Sequence, residues 1–123
     1  MTILLDTSVW IRHFRESSSE VIRLLDDQLV VVHELVVGEI ACGSLKHRAI
    51  TLTYLKALPK LPNVPIDDVM TLIESSKIYS KGIGLIDAQL LASVLITPDA
   101  FLWTADNRLN NIASDLSVSH SNT

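Results

Sequence analysis

Four acids stand where solvation alone does not account for a carboxylate. Asp6 follows the apolar run Ile3-Leu4-Leu5, and Asp106 follows Phe101-Leu102-Trp103-Thr104 and Ala105. Asp87 opens the apolar stretch Leu85–Ile96, and Glu39 sits among Val36, Val37 and Ile40. An acid at the carboxyl end of a buried parallel strand lies where α/β folds place their ligands. Carboxylates gathered at one spot cannot all stay ionised without a cation, since like charges push their pKa values up. A hard divalent ion, Mg²⁺ or Mn²⁺, suits oxygen donors, and the His and Cys ligands favoured by zinc are absent from these positions. Such a cluster can activate water and stabilise in-line phosphoryl displacement. The plainer alternative for Asp6, Thr7 or Ser8 is a cap on the helix that follows.

The elements that would carry these acids alternate between strands and helices. After Asp6, the residues Val9, Trp10, Ile11 and Phe14 recur at near-helical spacing. Ser17-Ser18-Ser19 then breaks the chain and caps a second helix that ends at Asp26-Asp27, and Leu29–Val32 reads as a second buried strand. A helix runs from Glu34 to Gly43, where Glu34 suits the positive N-terminus and Glu39 is an acid that is costly to bury. Residues 46–58 form an amphipathic helix stopped by Pro59, and Asn63–Ile66 supplies an edge strand at most. Asp67 or Asp68 caps a helix reaching Tyr79, with Lys77 and Lys81 at its C-terminal end. Gly82-Ile83-Gly84 breaks the chain before the helix bearing Asp87. The strand 101–104 and a helix from Arg108 to Ala113 follow, and the polar tail from Leu116 to Thr123 has room for one short strand around Val118. Right-handed crossovers stack such units into a parallel sheet covered on both faces, with the strand-end acids on one edge.

Composition bounds the rest. At 123 residues the chain is expected to be one domain. Acids interrupt every apolar stretch well before the roughly 20 residues of a membrane span, and no secretion-signal pattern precedes Ile3, so a cytoplasmic setting is expected. The lone Cys42 excludes an internal disulfide and reads as a small packing residue. A net charge of −4 argues mildly against a nucleic-acid partner. Setting the four candidate acids aside leaves ten acids against ten Lys and Arg, and two divalent cations would neutralise those four.

In the order and spacing of its motifs the chain resembles the PIN domain family, and within it the VapC-type toxins of bacterial toxin–antitoxin pairs. The carriers are Leu4-Leu5-Asp6-Thr7-Ser8-Val9-Trp10-Ile11, Gly38-Glu39-Ile40 with Gly43, Leu85-Ile86-Asp87-Ala88-Gln89-Leu90-Leu91-Ala92, and Leu102-Trp103-Thr104-Ala105-Asp106-Asn107-Arg108-Leu109. The resemblance implies one nuclease domain over residues 1–123 with a three-layer α/β/α fold and a central, mostly parallel sheet. It implies Asp6, Glu39, Asp87 and Asp106 as metal-binding catalytic acids, with the Thr104 hydroxyl in support. It further implies an Mg²⁺- or Mn²⁺-dependent endoribonuclease, a homodimer, and a VapB-type antitoxin as partner. The family often carries more basic residues beside its substrate groove. Here Arg12, Arg15 and Arg108 are the candidates for phosphate contact, with solvated helix faces as the alternative.

Other readings fit less well. A haloacid-dehalogenase-type phosphatase needs a second Asp where Ser8 stands, and a receiver domain needs paired acids near its first strand. A dinucleotide binder needs glycines in a first turn that has none. The rival of another class is a catalytically silent PIN-like binding or dimerisation module. His13, His33, His47 and His120 have no ligand spacing and are expected at the surface or in packing, Trp10 and Trp103 in the core or an interface. The aliphatic faces of Leu45, Leu52 and Leu55 predict an apolar groove for the antitoxin or a second copy.

Overall fold

The structure is a computed structural model that describes residues 1–120. Three short parallel strands form the sheet, β1 (Thr2–Leu5), β2 (Val30–Val31) and β3 (Ala100–Trp103), in the order β2-β1-β3. The central strand β1 pairs Ile3 with Val30 on one side and Leu5 with Trp103 on the other. Ile3, Leu4 and Leu5 are fully buried, which is why this stretch reads as an unbroken aliphatic run. Single parallel bridges widen both edges, Val32 with Lys60 and Leu102 with Ser119. The outer bridge on the β2 side thus falls at Lys60, not at Asn63–Ile66, and the expected strand around Val118 is reduced to a bridge next to it. The last three residues of the polar tail lie outside the described residues.

Among the described residues, seven helices complete the three-layer α/β/α fold: α1 (Thr7–Arg15), α2 (Ser19–Asp26), α3 (Glu34–Cys42), α4 (Arg48–Ala57), α5 (Ile66–Ser75), α6 (Leu85–Leu95) and α7 (Asn107–Asp115). Helix α1 lies against β1 and α3, α3 against α4, α5 against α6, and both α6 and α7 against β3. None of them is long and apolar enough to cross a membrane. Ser18 caps α2 as the serine run predicts, its Oγ accepting from Val21 N at 3.2 Å.

Helix α6 is the deepest. Ala88 through Val94 are all buried, including Gln89 and Ser93. A buried amide must find partners, and Gln89 finds both on one residue, accepting from Val64 N at 2.7 Å and donating to Val64 O at 2.8 Å. Ser93 donates to Pro62 O at 2.7 Å. These bonds fasten the proline-rich connection to α6 and fix the helix whose first turn carries Asp87.

The expectations for helix α5 and for Cys42 are corrected. Helix α5 begins after Pro65 and ends at Ser75, so neither Asp67 nor Asp68 caps it, and Lys77, Tyr79 and Lys81 belong to a loop. Proline already supplies the φ of a helix start, and left-handed φ values at Lys77 and Ser80 end the helical path. Cys42 is exposed, not packed. His33 is completely buried as the N-cap of α3, its Nδ1 accepting from Leu35 N at 3.0 Å.

Candidate active site

Asp6 is 6% exposed and lies one residue beyond β1, its N–H donating to Trp103 O at 3.0 Å and so extending the ladder with β3. Its two oxygens do different work. Oδ1 accepts from Val9 N at 3.1 Å, capping α1, and from Ser8 Oγ at 2.5 Å. Oδ2 accepts from the buried Thr104 hydroxyl. The cap and the site acid are therefore the same carboxylate.

Thr104 reaches both strand-end acids. Its Oγ1 donates to Asp6 and accepts from Asp106 N at 3.0 Å. Asp106 in turn caps α7, its Oδ1 accepting from Arg108 N at 2.8 Å and Leu109 N at 3.4 Å. Ser8 closes a second link, because its Oγ also accepts from Ala105 N at 3.0 Å. Glu39 is joined to the same region by Thr7, whose hydroxyl donates to Oε1 at 2.6 Å. Thr7 and Ser8 were legible only as cap candidates; the usable signal was a hydroxyl on each of the two residues after a strand-end acid.

Glu39 departs from expectation. Val36, Val37 and Ile40 are the buried residues of α3, and helical geometry leaves Gly38 and Glu39 on the opposite, exposed face. Its aliphatic neighbours in sequence are not its neighbours in space.

Asp87 lies in the first turn of α6, half-buried, and accepts from Gly84 N at 3.4 Å through Oδ2. Burial pushes its carboxyl above the usual carboxylate range, the Gly84 bond opposes this, and the charges of Asp6, Asp106 and Glu39 push it further up. All four sequence-predicted acids thus share one locality. Among the described residues, Asp87 Oδ1, Asp106 Oδ2 and Glu39 Oε2 accept no hydrogen bond from the protein. The nearest cation in an ion pair with any of these acids is Arg108, whose Nε is 4.0 Å from Asp106 Oδ1.

An all-carboxylate donor set matches a hard divalent ion in chemistry. Among the described residues, no three His, Cys, Asp or Glu side chains are already arranged as a cage, because Glu39 turns to Thr7 and Asp106 to its own helix.

The arginines separate into two groups. Arg12 and Arg15 line a cavity of about 460 Å³ together with Ser8, Glu16 and Ala105, directly beside the residues that hold Asp6. Arg108 lies across Gly82, where an added Cβ would stand 2.7 Å from its Nη1. Farther along α1, a groove of about 840 Å³ is walled by Ile11, Phe14, Leu45 and Thr51, with Arg15 and Lys46 at its sides. Of the leucines expected to form it, only Leu45 does; Leu55 is in the core and Leu52 packs against the core.

The model of the PIN domain family matches residues 3–115. Two relatives named Ribonuclease VapC32, from the CDC 1551 / Oshkosh and H37Rv strains of Mycobacterium tuberculosis, are each 40% identical over 116 residues, covering 94% of both chains. With this likeness running from the first strand to the last helix, the chain belongs to the PIN domain family and, within it, to the VapC-type members.

Proposed function

We propose that the chain is a divalent-metal-dependent endoribonuclease acting as the toxin of a toxin–antitoxin pair, with residues 1–123 as a single nuclease domain in the cytoplasm. The observation that carries this reading is the convergence of the four acids: Thr104 joins Asp6 to Asp106, Thr7 beside Asp6 holds Glu39, and Asp87 lies near enough to feel the charges of the other three. The name of its relatives supports RNA as the substrate.

Asp6, Asp87 and Asp106 are the residues that would hold Mg²⁺ or Mn²⁺, with Glu39 assisting. When bound, the ion supplies positive charge to the phosphoryl oxygens on which negative charge grows. Glu39 takes the proton of the attacking water while the new P–O bond forms in line with the P–O bond to the departing sugar oxygen, which breaks and takes up a proton from solvent. Asp6 is held rigid by Thr104, Ser8 and Val9, so the centre is oriented before RNA arrives. Arg12, Arg15 and Arg108 contact backbone phosphates. The groove walled by Phe14 and Leu45 accepts the VapB-type antitoxin, and the toxin works as a homodimer.

Asp6→Asn tests the centre, because asparagine retains the capping oxygen and removes the charge. Sequencing of RNA ends should show new termini with the wild type in Mg²⁺ and none with Asp6→Asn or with a chelator present. Undiminished cutting by the variant would falsify the assignment.

A further inference from the structure

The loop between α5 and α6 carries none of the four candidate acids, yet it leads directly into Asp87. Its residues Tyr79, Ser80, Ile83 and Gly84, with Ile73 and Leu85 of the flanking helices, line a cavity of about 290 Å³. That is just under the roughly 300–1,000 Å³ typical of sites for drug-sized ligands, room for one flat ring system. Tyr79 is 50% exposed and Leu85 55%, so the apolar wall opens to solvent. Gly84 both lines the cavity and donates to Asp87 Oδ2.

Charge singles out this loop in a chain of net charge −4. No acid occurs between Glu74 and Asp87, while Lys77 and Lys81 lie on the loop and Arg108 lies across Gly82. Neither lysine is in an ion pair among the described residues. The loop is nonetheless held in place, since Ile78 is buried and its N–H donates to Ile73 O at 3.1 Å. An aromatic face beside cations, on a fixed loop, is the arrangement that stacks bases of single-stranded RNA.

We propose that this cavity receives one nucleobase beside the phosphodiester that is cut, stacked on Tyr79, with Lys77, Lys81 and Arg108 holding the adjoining phosphates. Tyr79 is then a residue that sets sequence preference. The inference rests on the ribonuclease reading above.

The test compares wild type, Tyr79→Ala, Tyr79→Phe and Lys81→Ala on a pool of short RNAs of randomised sequence, with the sedimentation of each protein recorded. Tyr79→Ala should flatten the base preference at one position next to the cut and raise KM about tenfold, the loss falling in KM rather than kcat. Tyr79→Phe keeps the stacking face and should behave as wild type. Lys81→Ala should reduce the dependence of log KM on log salt by about 0.7, the share of one phosphate contact on a single strand. Unchanged preference and KM in Tyr79→Ala, with the wild type cutting RNA, overturns this inference and leaves the ribonuclease reading standing. A change in sedimentation with preference intact overturns it in favour of a second copy of the chain in the cavity. If the wild type cuts no RNA, the ribonuclease reading fails and this inference fails with it.

Discussion

Thr104 has the most consequential single hydroxyl in the molecule, because it donates to one candidate acid and accepts from the backbone of another. Thr104→Val preserves the shape and removes both bonds. It leaves the buried Asp6 one donor short and the Asp106 amide without its acceptor, a cost of about 1–3 kcal/mol for each group left unmatched in a buried place. Chemical denaturation should register that loss, and cleavage should fall by about 10- to 100-fold, as for other residues that orient metal ligands. Thr104→Ser should recover most of both. A valine variant that cuts RNA at the wild-type rate would remove Thr104 from any role in ordering the acids. At this scale Asp6, Asp87 and Asp106 stood out by their positions at strand ends and a helix start, Glu39 as an acid among aliphatics, and Thr104 by the family pattern. The hydroxyls of Thr7 and Ser8 were not, since a serine or threonine after an acid is equally the signature of a plain helix cap.

Among the elements, α3 shows how a residue can be singled out by a sequence context that the fold does not reproduce. Glu39 stands out in the sequence as an acid among aliphatics, but the helix turns it outward with Gly38. What the periodicity does predict is that Gly38, interior to an exposed helix face, stabilises nothing. A Cβ added there has no atom within 4 Å beyond the helix's own backbone. Gly38→Ala should therefore stabilise the fold by about 0.5–1 kcal/mol, visible as a higher Tm, by relieving the entropy cost of glycine in a helix. A lower Tm would mean that the Gly38 face meets something in solution. Helix α5 is the opposite case, where apolar spacing carried the expected helix through Ile78 and Tyr79. Ile78 is indeed buried, but from a loop, and hydrophobic period cannot distinguish a helical residue from a buried loop residue that happens to fall in phase.

For the whole molecule, the order of strands and helices was readable because each strand is a short aliphatic run and each helix has a visible start or stop. The ties between distant segments were not, and these include the bonds from Gln89 and Ser93 to the proline-rich connection. Three of the histidines belong to the same class: without motif spacing they look inert, yet burial in the fold lowers the pKa of each. Burial lowers the pKa of His33, with Gln89 and Glu34 pulling weakly the other way. Burial also lowers His13 and His120. The folded state therefore prefers these three side chains neutral, whereas the unfolded chain protonates them near pH 6.5. Their contribution to stability is complete above about pH 6.5 and is lost as pH falls toward their lowered folded values, because the unfolded chain then binds protons that the fold resists. Tm should fall between pH 7.5 and 5.5, ahead of the carboxylate range. His33 dominates the effect, since protonating Nδ1 also removes the acceptor for Leu35 N at the start of α3. His33→Asn keeps a capping oxygen and does not titrate, so it should flatten that part of the profile while lowering Tm at pH 7.5 through lost packing. A wild-type Tm that stays level or rises over this interval would show that these side chains take up protons in the fold as readily as in the open chain.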